Sequence, residues 1–377
     1  MHISRRELLK GAAAVGATFA GGRPLGALAQ GASGKQLVID IHGHYTTEPK
    51  AFLAWRQAQI AALADPSKKP SPASLKISDD ELRESVQPQI KFQRERGTDV
   101  VLFSPRAAGM GHHIGNAETS AEWSRLSNEI IHRVCTLRPD NFIGVGQLPQ
   151  SPGVRPDNCI EELERCVKFY GFPAINLNPD PTGGFWRDPP VSDRWYYPLY
   201  EKIVELDVPV MLHVSASINP NFQGTGGHYL AADTTAFMQF VIADLFKDFP
   251  TLRMIIPHGG GAVPYHWGRY RGLSQDMKRP PLEELLHNVF FDTCVYHQAG
   301  IELLFKVIPA DNILFGSELL GAVRGVDPFT GRYFDDTKRY IDALALSADA
   351  RRKVFETNAR RVYRLDRTDY FKRRADR

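Results

Sequence analysis

Histidines and one acid stand where short apolar runs end. His42-Gly43-His44 follows Leu37–Ile41, and His213 follows Val208–Leu212. His258 follows Arg253–Pro257, and Gly316-Ser317-Glu318 follows Asn312–Phe315. Side chains two apart on a strand share a face, so His42 and His44 are aimed at one place. Imidazole nitrogens joined by a carboxylate oxygen suit zinc or a similar borderline divalent metal. A lone His at a strand end is ordinarily structural. An H-x-H pair with further strand-end histidines is a much more specific pattern and points to a metal centre.

Such a centre needs a frame that brings distant strand ends together. The apolar runs Leu37–Ile41, Asp99–Phe103, Phe142–Gly146, Ala174–Leu177, Val208–Leu212, Arg253–Pro257, Asn288–Asp292 and Asn312–Phe315 read as strands. Most are continuous rather than alternating, as expected of parallel strands covered on both faces. Amphipathic stretches between them, Asp79–Gln93, Ala121–Leu137, Cys159–Tyr170 and Thr234–Phe246, read as helices. The pattern predicts an α/β fold, a single-domain (β/α)8 TIM barrel over residues 30–377 with chemistry at the strand C-termini. A doubly wound sheet would show a phosphate loop or G-x-G-x-x-G after its first strand, and neither is present. The stretch Tyr45–Pro72 is an insertion after the first strand expected to cap the mouth, with Lys68–Pro72 as loop.

Composition excludes several classes of function. The chain has 377 residues, 43% hydrophobic and 24% charged, with net charge +3 and no long basic run, so nothing asks for nucleic acid or stable membrane association. Lys372–Arg377 reads as a solvated tail. The four cysteines, Cys135, Cys159, Cys166 and Cys294, form no C-x-x-C pair and read as small apolar fillers. Cys159 and Cys166 would lie roughly 10 Å apart on one helix, too far for a disulfide. Trp55, Trp186, Trp195 and Trp267 read as packing or lid residues. Residues 1–29 read as a twin-arginine export signal: Arg5-Arg6 in a basic start, the apolar run Gly11–Ala20, then the small-x-small pattern Ala27-Leu28-Ala29. Cleavage near Ala29 would leave a periplasmic or exported chain. The apolar run is too short to span a bilayer.

Longer matches carry a family resemblance: Ile39–Thr47 (IDIHGHYTT), Phe103–Ala107 (FSPRA), Ala174–Pro181 (AINLNPDP), His228-Tyr229, Pro257–Arg269 (PHGGGAVPYHWGR), and Gly316–Glu318 followed by Gly321–Gly325 (GAVRG). From about Leu37 to Arg364 the chain resembles the amidohydrolase-related decarboxylases and hydratases, the group that contains aminocarboxymuconate semialdehyde decarboxylase. In that group an H-x-H, a His after the fifth strand and an acid after the eighth bind one metal. The resemblance thus implies His42, His44, His213 and Glu318 as ligands of a divalent cation, with zinc (Zn2+) expected. The decarboxylases usually carry Asp where this chain has Glu318, and likeness to the hydratases implies Glu. The implied activity is a hydro-lyase adding water to an unsaturated oxo-polycarboxylate such as 4-oxalomesaconate. Alternatives are a non-oxidative decarboxylase, an amide or lactone hydrolase on the same scaffold, or an exported binding protein. The export signal departs from the cytoplasmic setting expected of such a reaction.

Hydration requires activated water, a stabilised enolate and a protonated carbon. A metal supplies the first two; Glu318 is the expected general base and His258 the general acid or base, with a fourth nitrogen ligand or a ligand-orienting donor as the other readings of His258. Gly259–Gly261 would let backbone approach the site closely. A polycarboxylate needs cationic clamps, for which Arg106 and Arg324 are the candidates. Asn178, Tyr229 and His113 are candidate hydrogen-bond donors at the mouth. Asp40 and Asp292 read as supporting residues rather than ligands. The expected partner is a small-molecule polycarboxylate, and a homo-oligomer is compatible with the sequence. Replacing Arg5 and Arg6 by Lys is expected to hold the precursor in the cytoplasm; unchanged periplasmic recovery on fractionation would refute the export signal.

Overall fold

The polar residues at the strand ends lengthen the first strand rather than end it. The structure, a computed structural model, describes residues 36–375; the expected export signal lies outside them. Strand β1 (Ile39–His44) contains the H-x-H itself. It is followed by β2 (Val100–Ser104), β3 (Phe142–Gly144, continued by Gly146–Gln147), β4 (Ile175–Leu177), β5 (Val210–Leu212), β6 (Met254–Ile256), β7 (Val289–Asp292) and β8 (Ile313–Leu314). Every neighbouring pair is parallel. The two halves of β3 serve different neighbours, Phe142–Gly144 pairing with β2 and Gly146–Gln147 with β4. At the join, Val145 N–H donates to the Phe103 carbonyl (2.9 Å) and Gly146 N–H to that of Ala174 (3.0 Å). Ile41 N–H donates to the Phe315 carbonyl (2.9 Å) and Glu318 N–H to that of His42 (2.8 Å), so β8 meets β1 and the (β/α)8 barrel closes.

Side-chain parity divides the strands into two faces. Val100, Leu102, Ile143, Val145, Met211, Ile255, Phe290 and Leu314 form one buried cluster, which Ala359, Val362, Tyr363 and Phe371 from the C-terminal helices join. The alternate residues face the helices: Val101 and Phe103 pack with Trp123 and Ile130, and Leu212, Ile256, Phe291 and Phe315 with Phe237, Ile301 and Phe355. Among the described residues no helix is long and apolar enough to cross a membrane.

Local chemistry accounts for where the helices depart from expectation. The stretch expected as one helix over Asp79–Gln93 is two, Asp79–Ser85 and Gln87–Glu95. Ser78 and Glu81 form a reciprocal capping box at the first, and Pro88, which lacks an N–H, sits in the first turn of the second. The helix expected from Thr234 begins earlier, at Gly226, and ends at Val241, which places Tyr229 and Asp233 on it. The insertion after β1 holds a helix, Lys50–Ala61, whose Phe52 and Trp55 stack on Trp123. Lys372–Ala375, expected as solvated tail, ends a helix, and Arg373 donates to the Pro139 carbonyl (2.8 Å). An antiparallel pair, Val326–Asp327 with Arg332–Tyr333, follows β8 and was not expected.

Gly43 is what lets the H-x-H lie in a strand. Its neighbours send imidazoles to one side, and a Cβ on the other would meet Val101 Cγ1 at 2.2 Å and the Leu102 carbonyl at 3.1 Å. The β1–β2 register also shifts between Asp40 and Gly43. Gly43→Ala is therefore expected to cost about 1–3 kcal/mol by overpacking, with partial recovery when Val101→Ala is added. Denaturant titration of the single and double variants checks this, and an undisturbed single variant would contradict it.

Candidate metal centre

Three imidazoles converge because each has its outer nitrogen committed elsewhere. His42 Nδ1 lies 2.6 Å from Asp292 Oδ2. His44 Nδ1 lies 2.7 Å from Ser104 Oγ, and that hydroxyl donates onward to the Gly43 or Pro105 carbonyl (3.2 and 3.1 Å), so it accepts from His44. His213 Nδ1 donates to the Val214 carbonyl at 2.9 Å. Protonated Nδ1 leaves each Nε2 with a bare lone pair. These Nε2 atoms face one another, His42 to His44 at 3.1 Å and His44 to His213 at 3.1 Å. Lone pairs so arranged repel unless a cation lies among them, and nitrogens on a tetrahedral zinc sit about 3.3 Å apart. Burial first, then the neighbouring imidazoles, push His44 and His213 well below the ordinary histidine range, which favours the neutral, ligating form. Glu318 completes the set: the ligand atoms of His42, His44, His213 and Glu318, all buried, lie within 4.8 Å of one another. The donor set fits a divalent metal.

Glu318 is held from several sides. Tyr296 donates its hydroxyl to Oε2 at 2.9 Å, and Cys294 Sγ is 3.7 Å from the same oxygen. His258 Nε2 stands 3.9 Å from it and has no hydrogen-bond partner among the described residues, while His258 Nδ1 is paired with Asp233 Oδ2 at 2.8 Å. Burial opposes charge on His258, but Asp233, Glu318 and Asp292 outweigh it and hold the imidazole up at about 9. Burial also pushes Asp292 up, yet its hydrogen bond with His42, the charges of His42 and His258, and the Gly259 N–H bring it below the usual carboxylate range. Asp40 braces the site, accepting from His42 N–H (3.0 Å), Ser317 N–H (3.1 Å) and the Ser317 hydroxyl. His258 and Glu318 both occupy the left-handed region, with φ of 51° and 53°. After His258 the run Gly259–Gly261 keeps φ positive, and Gly259 N–H donates to Asp292 Oδ1 (3.0 Å). Gly259 thereby turns the chain onto Asp292, and all three glycines are closely approached: a Cβ would meet Val295 Cγ2 at 2.4 Å at Gly259, Phe291 Cδ1 at 2.6 Å at Gly260 and the Leu230 carbonyl at 2.5 Å at Gly261.

Over this set opens a cavity of about 320 Å³ lined by His44, Thr46, Arg106, Ala107, Ala108, His213, Thr225, Tyr229, Glu318, Gly321, Ala322 and Arg324. Arg106, Arg324 and Tyr229 thus share this lining with three of the candidate ligands, and the Tyr229 ring stands 5.1 Å from that of His213 and 5.5 Å from that of His258. Asn178 does not line the cavity. It is fully buried, its amide donating to His112 Nδ1 (2.9 Å) and Ser215 Oγ (3.2 Å) and accepting from Asp180 N–H (2.9 Å), so its capacity is spent on joining strand-end loops. His113 is also outside the lining, half-buried beside Gly183. Sequence reasoning overlooked Tyr296, Asp233, Ser104 and Thr46, and read Cys294 as filler. Parity offered a signal for two of these: Phe290, Asp292, Cys294 and Tyr296 alternate along β7 and its continuation.

The chain is similar to known proteins to different depths. The amidohydrolase family pattern matches residues 39–365. The 2-keto-4-carboxy-3-hexenedioate hydratase of Sphingobium sp. is 57% identical over 333 residues, 88% of this chain and 97% of that protein. The crystal structure of 4-oxalomesaconate hydratase from Rhodopseudomonas palustris superposes with a TM-score of 0.84 at 58% identity, covering 90% of this chain and 100% of that one. The 5-carboxyvanillate decarboxylase of Novosphingobium aromaticivorans, solved with manganese, shares the fold at 20% identity and a TM-score of 0.66, covering 89% and 98% of the two chains.

The metal-loaded chain is expected to keep one tightly held divalent ion through dialysis. His42→Ala and His44→Ala should lose it, since the remaining donors cannot complete the shell. Asp292→Asn, which removes the charge behind His42, should weaken affinity about 10- to 100-fold. Full occupancy in both histidine variants by elemental analysis would refute the ligand assignment.

Proposed function

The chain belongs to the amidohydrolase family, and from that premise we propose how its site works as a hydro-lyase. It is a hydratase of an unsaturated oxo-polycarboxylate, as the Sphingobium and Rhodopseudomonas relatives are by name. The observation that supports the assignment of roles is the meeting of Glu318 with three Nε2 lone pairs on one side and the unpartnered His258 Nε2 on the other. His42, His44, His213 and Glu318 are the residues that would hold the ion, and zinc is the ion this nitrogen-rich set favours. When bound, a divalent metal lowers the pKa of water and polarises a carbonyl.

The chain's own residues account for the proton traffic. Glu318 takes a proton from water, whose oxygen adds to the carbon β to the carbonyl. The displaced electron pair moves into the carbonyl system, and His258, held by Asp233, delivers a proton to the α carbon. One water is consumed and nothing is released. Arg106 and Arg324 reach the cavity from the loops after β2 and β8 and would each grip a substrate carboxylate. Tyr229 offers a hydroxyl to the same cavity. The substrate we assign is 4-oxalomesaconate, supported by the relatives and by these paired cations. Export of the chain through residues 1–29 belongs to the same proposal, supported by Arg5-Arg6 and Ala27-Leu28-Ala29.

The test follows the oxygen and the carbon separately. Enzyme run on 4-oxalomesaconate in isotopically labelled water is expected to place solvent oxygen in the product with no carbon dioxide released. Glu318→Gln should lose more than about 100-fold in kcat while still binding substrate, the ordinary share of a general base, with metal content measured beside the rate. His258→Asn should be similarly slow. Stoichiometric carbon dioxide without incorporated oxygen would replace the hydratase by a decarboxylase.

A further inference from the structure

Glu318 and His258 present a physical difficulty. A buried carboxylate oxygen and an imidazole nitrogen this near pair readily through a hydrogen bond, and direct pairing would spend the proposed base and acid on each other. Yet Glu318 Oε2 and His258 Nε2 stand 3.9 Å apart, beyond hydrogen-bonding reach, and His258 Nε2 has no hydrogen-bond partner among the described residues. On the Glu318 side the Tyr296 hydroxyl donates to that same Oε2 at 2.9 Å. The Cys294 thiol stands 3.7 Å from Oε2 and 3.5 Å from the Tyr296 oxygen. On the His258 side Asp233 occupies Nδ1 at 2.8 Å. Tyr296 is itself fixed, because its carbonyl accepts from the Tyr340 hydroxyl at 3.0 Å. The left-handed backbone at both Glu318 and His258 limits how far either can move to close the gap.

We propose that Tyr296, seconded by Cys294, is a positioning residue for the hydration reaction: its hydroxyl holds the Glu318 carboxylate away from His258 and keeps open the space in which water and the alkene carbon meet. The residue touches neither substrate nor metal and acts only through Glu318. This rests on Glu318 being the base. Without the hydroxyl, Oε2 loses its best donor and turns toward His258 Nε2. The two groups then pair, and each catalytic step must first break that contact. Substrate carboxylates are bound by other residues, so binding is unaffected.

The experiment is a double-mutant cycle on the metal-loaded enzyme with 4-oxalomesaconate, using Tyr296→Phe, Glu318→Gln and the pair. Tyr296→Phe deletes one oxygen and keeps the ring. It is expected to lower kcat about 10- to 100-fold, the range for one buried hydrogen bond to a charged group. KM should stay within about threefold and the metal content at wild type. In the Glu318→Gln background the same change should have almost no further effect, because there is no charged carboxylate left to hold. Cys294→Ala should lower kcat in the same direction by less, and serves if Tyr296→Phe proves unstable. The proposal is overturned by wild-type kcat in Tyr296→Phe, by a loss that appears in KM or metal content, or by a loss that persists in full beside Glu318→Gln. Failure of the base assignment shows separately, as a Glu318→Gln enzyme that turns over normally.

Discussion

The Asp292 carboxylate is the joint on which the site depends. It is fully buried at the end of β7, and each of its oxygens is engaged. Oδ2 takes the Nδ1 proton of His42 from β1, while Oδ1 takes the N–H of Gly259 from the turn after β6 and that of Cys294 from its own loop. One side chain thereby sets the tautomer of His42, the turn that carries His258, and the start of the segment that carries Tyr296. A buried carboxylate is costly unless its lone pairs are filled, and here the filling is the scaffold of the site.

The second constraint is conformational. A left-handed backbone costs about 1–3 kcal/mol at a residue other than glycine, and His258 and Glu318 are two of the seven such residues among those described. The surrounding contacts keep them there: Glu318 N–H is fixed on the His42 carbonyl and His258 Nδ1 on Asp233. Strain falls on His258 and Glu318, the proposed acid and base, while His42, His44 and His213, the candidate ligands, sit on strand ends without it. The frame is thus regular at the candidate metal ligands and specially shaped at the two residues proposed to move protons.

Much of this was legible in the chain. Parallel strands covered on both faces are continuous apolar runs, so all eight were recognisable, as was the gathering of His42, His44, His213, His258 and Glu318 at one end. Boundaries were less so. His42 and His44 continue β1 because Gly43 lets the strand pass Val101, a contact across strands with no local signature. The break of β3 at Val145 follows from serving two neighbours, again a matter of tertiary register. Asn178 read as a donor at the mouth because it ends an apolar run, but the partners that consume it, His112 and Ser215, are 66 and 37 residues away. Tyr296, Asp233 and Ser104 were overlooked for the same reason: each matters through one distant hydrogen bond, and such bonds leave no periodicity.

The closure of β8 on β1 has a consequence for how the molecule is made. Asp40 and Ser317, which lock that seam, are 277 residues apart in the chain. A nascent chain can present His42 and His44 early, but it gains Glu318 only when nearly all of the barrel has been synthesised. The loop-closure entropy of that last contact opposes the ring, and folds dominated by such distant contacts form slowly. An ion that binds only the completed set favours the closed ring by mass action. Loading of such a site would therefore double as an inspection of the fold: a chain stalled short of β8, or closed out of register, would lack Glu318, the fourth candidate donor.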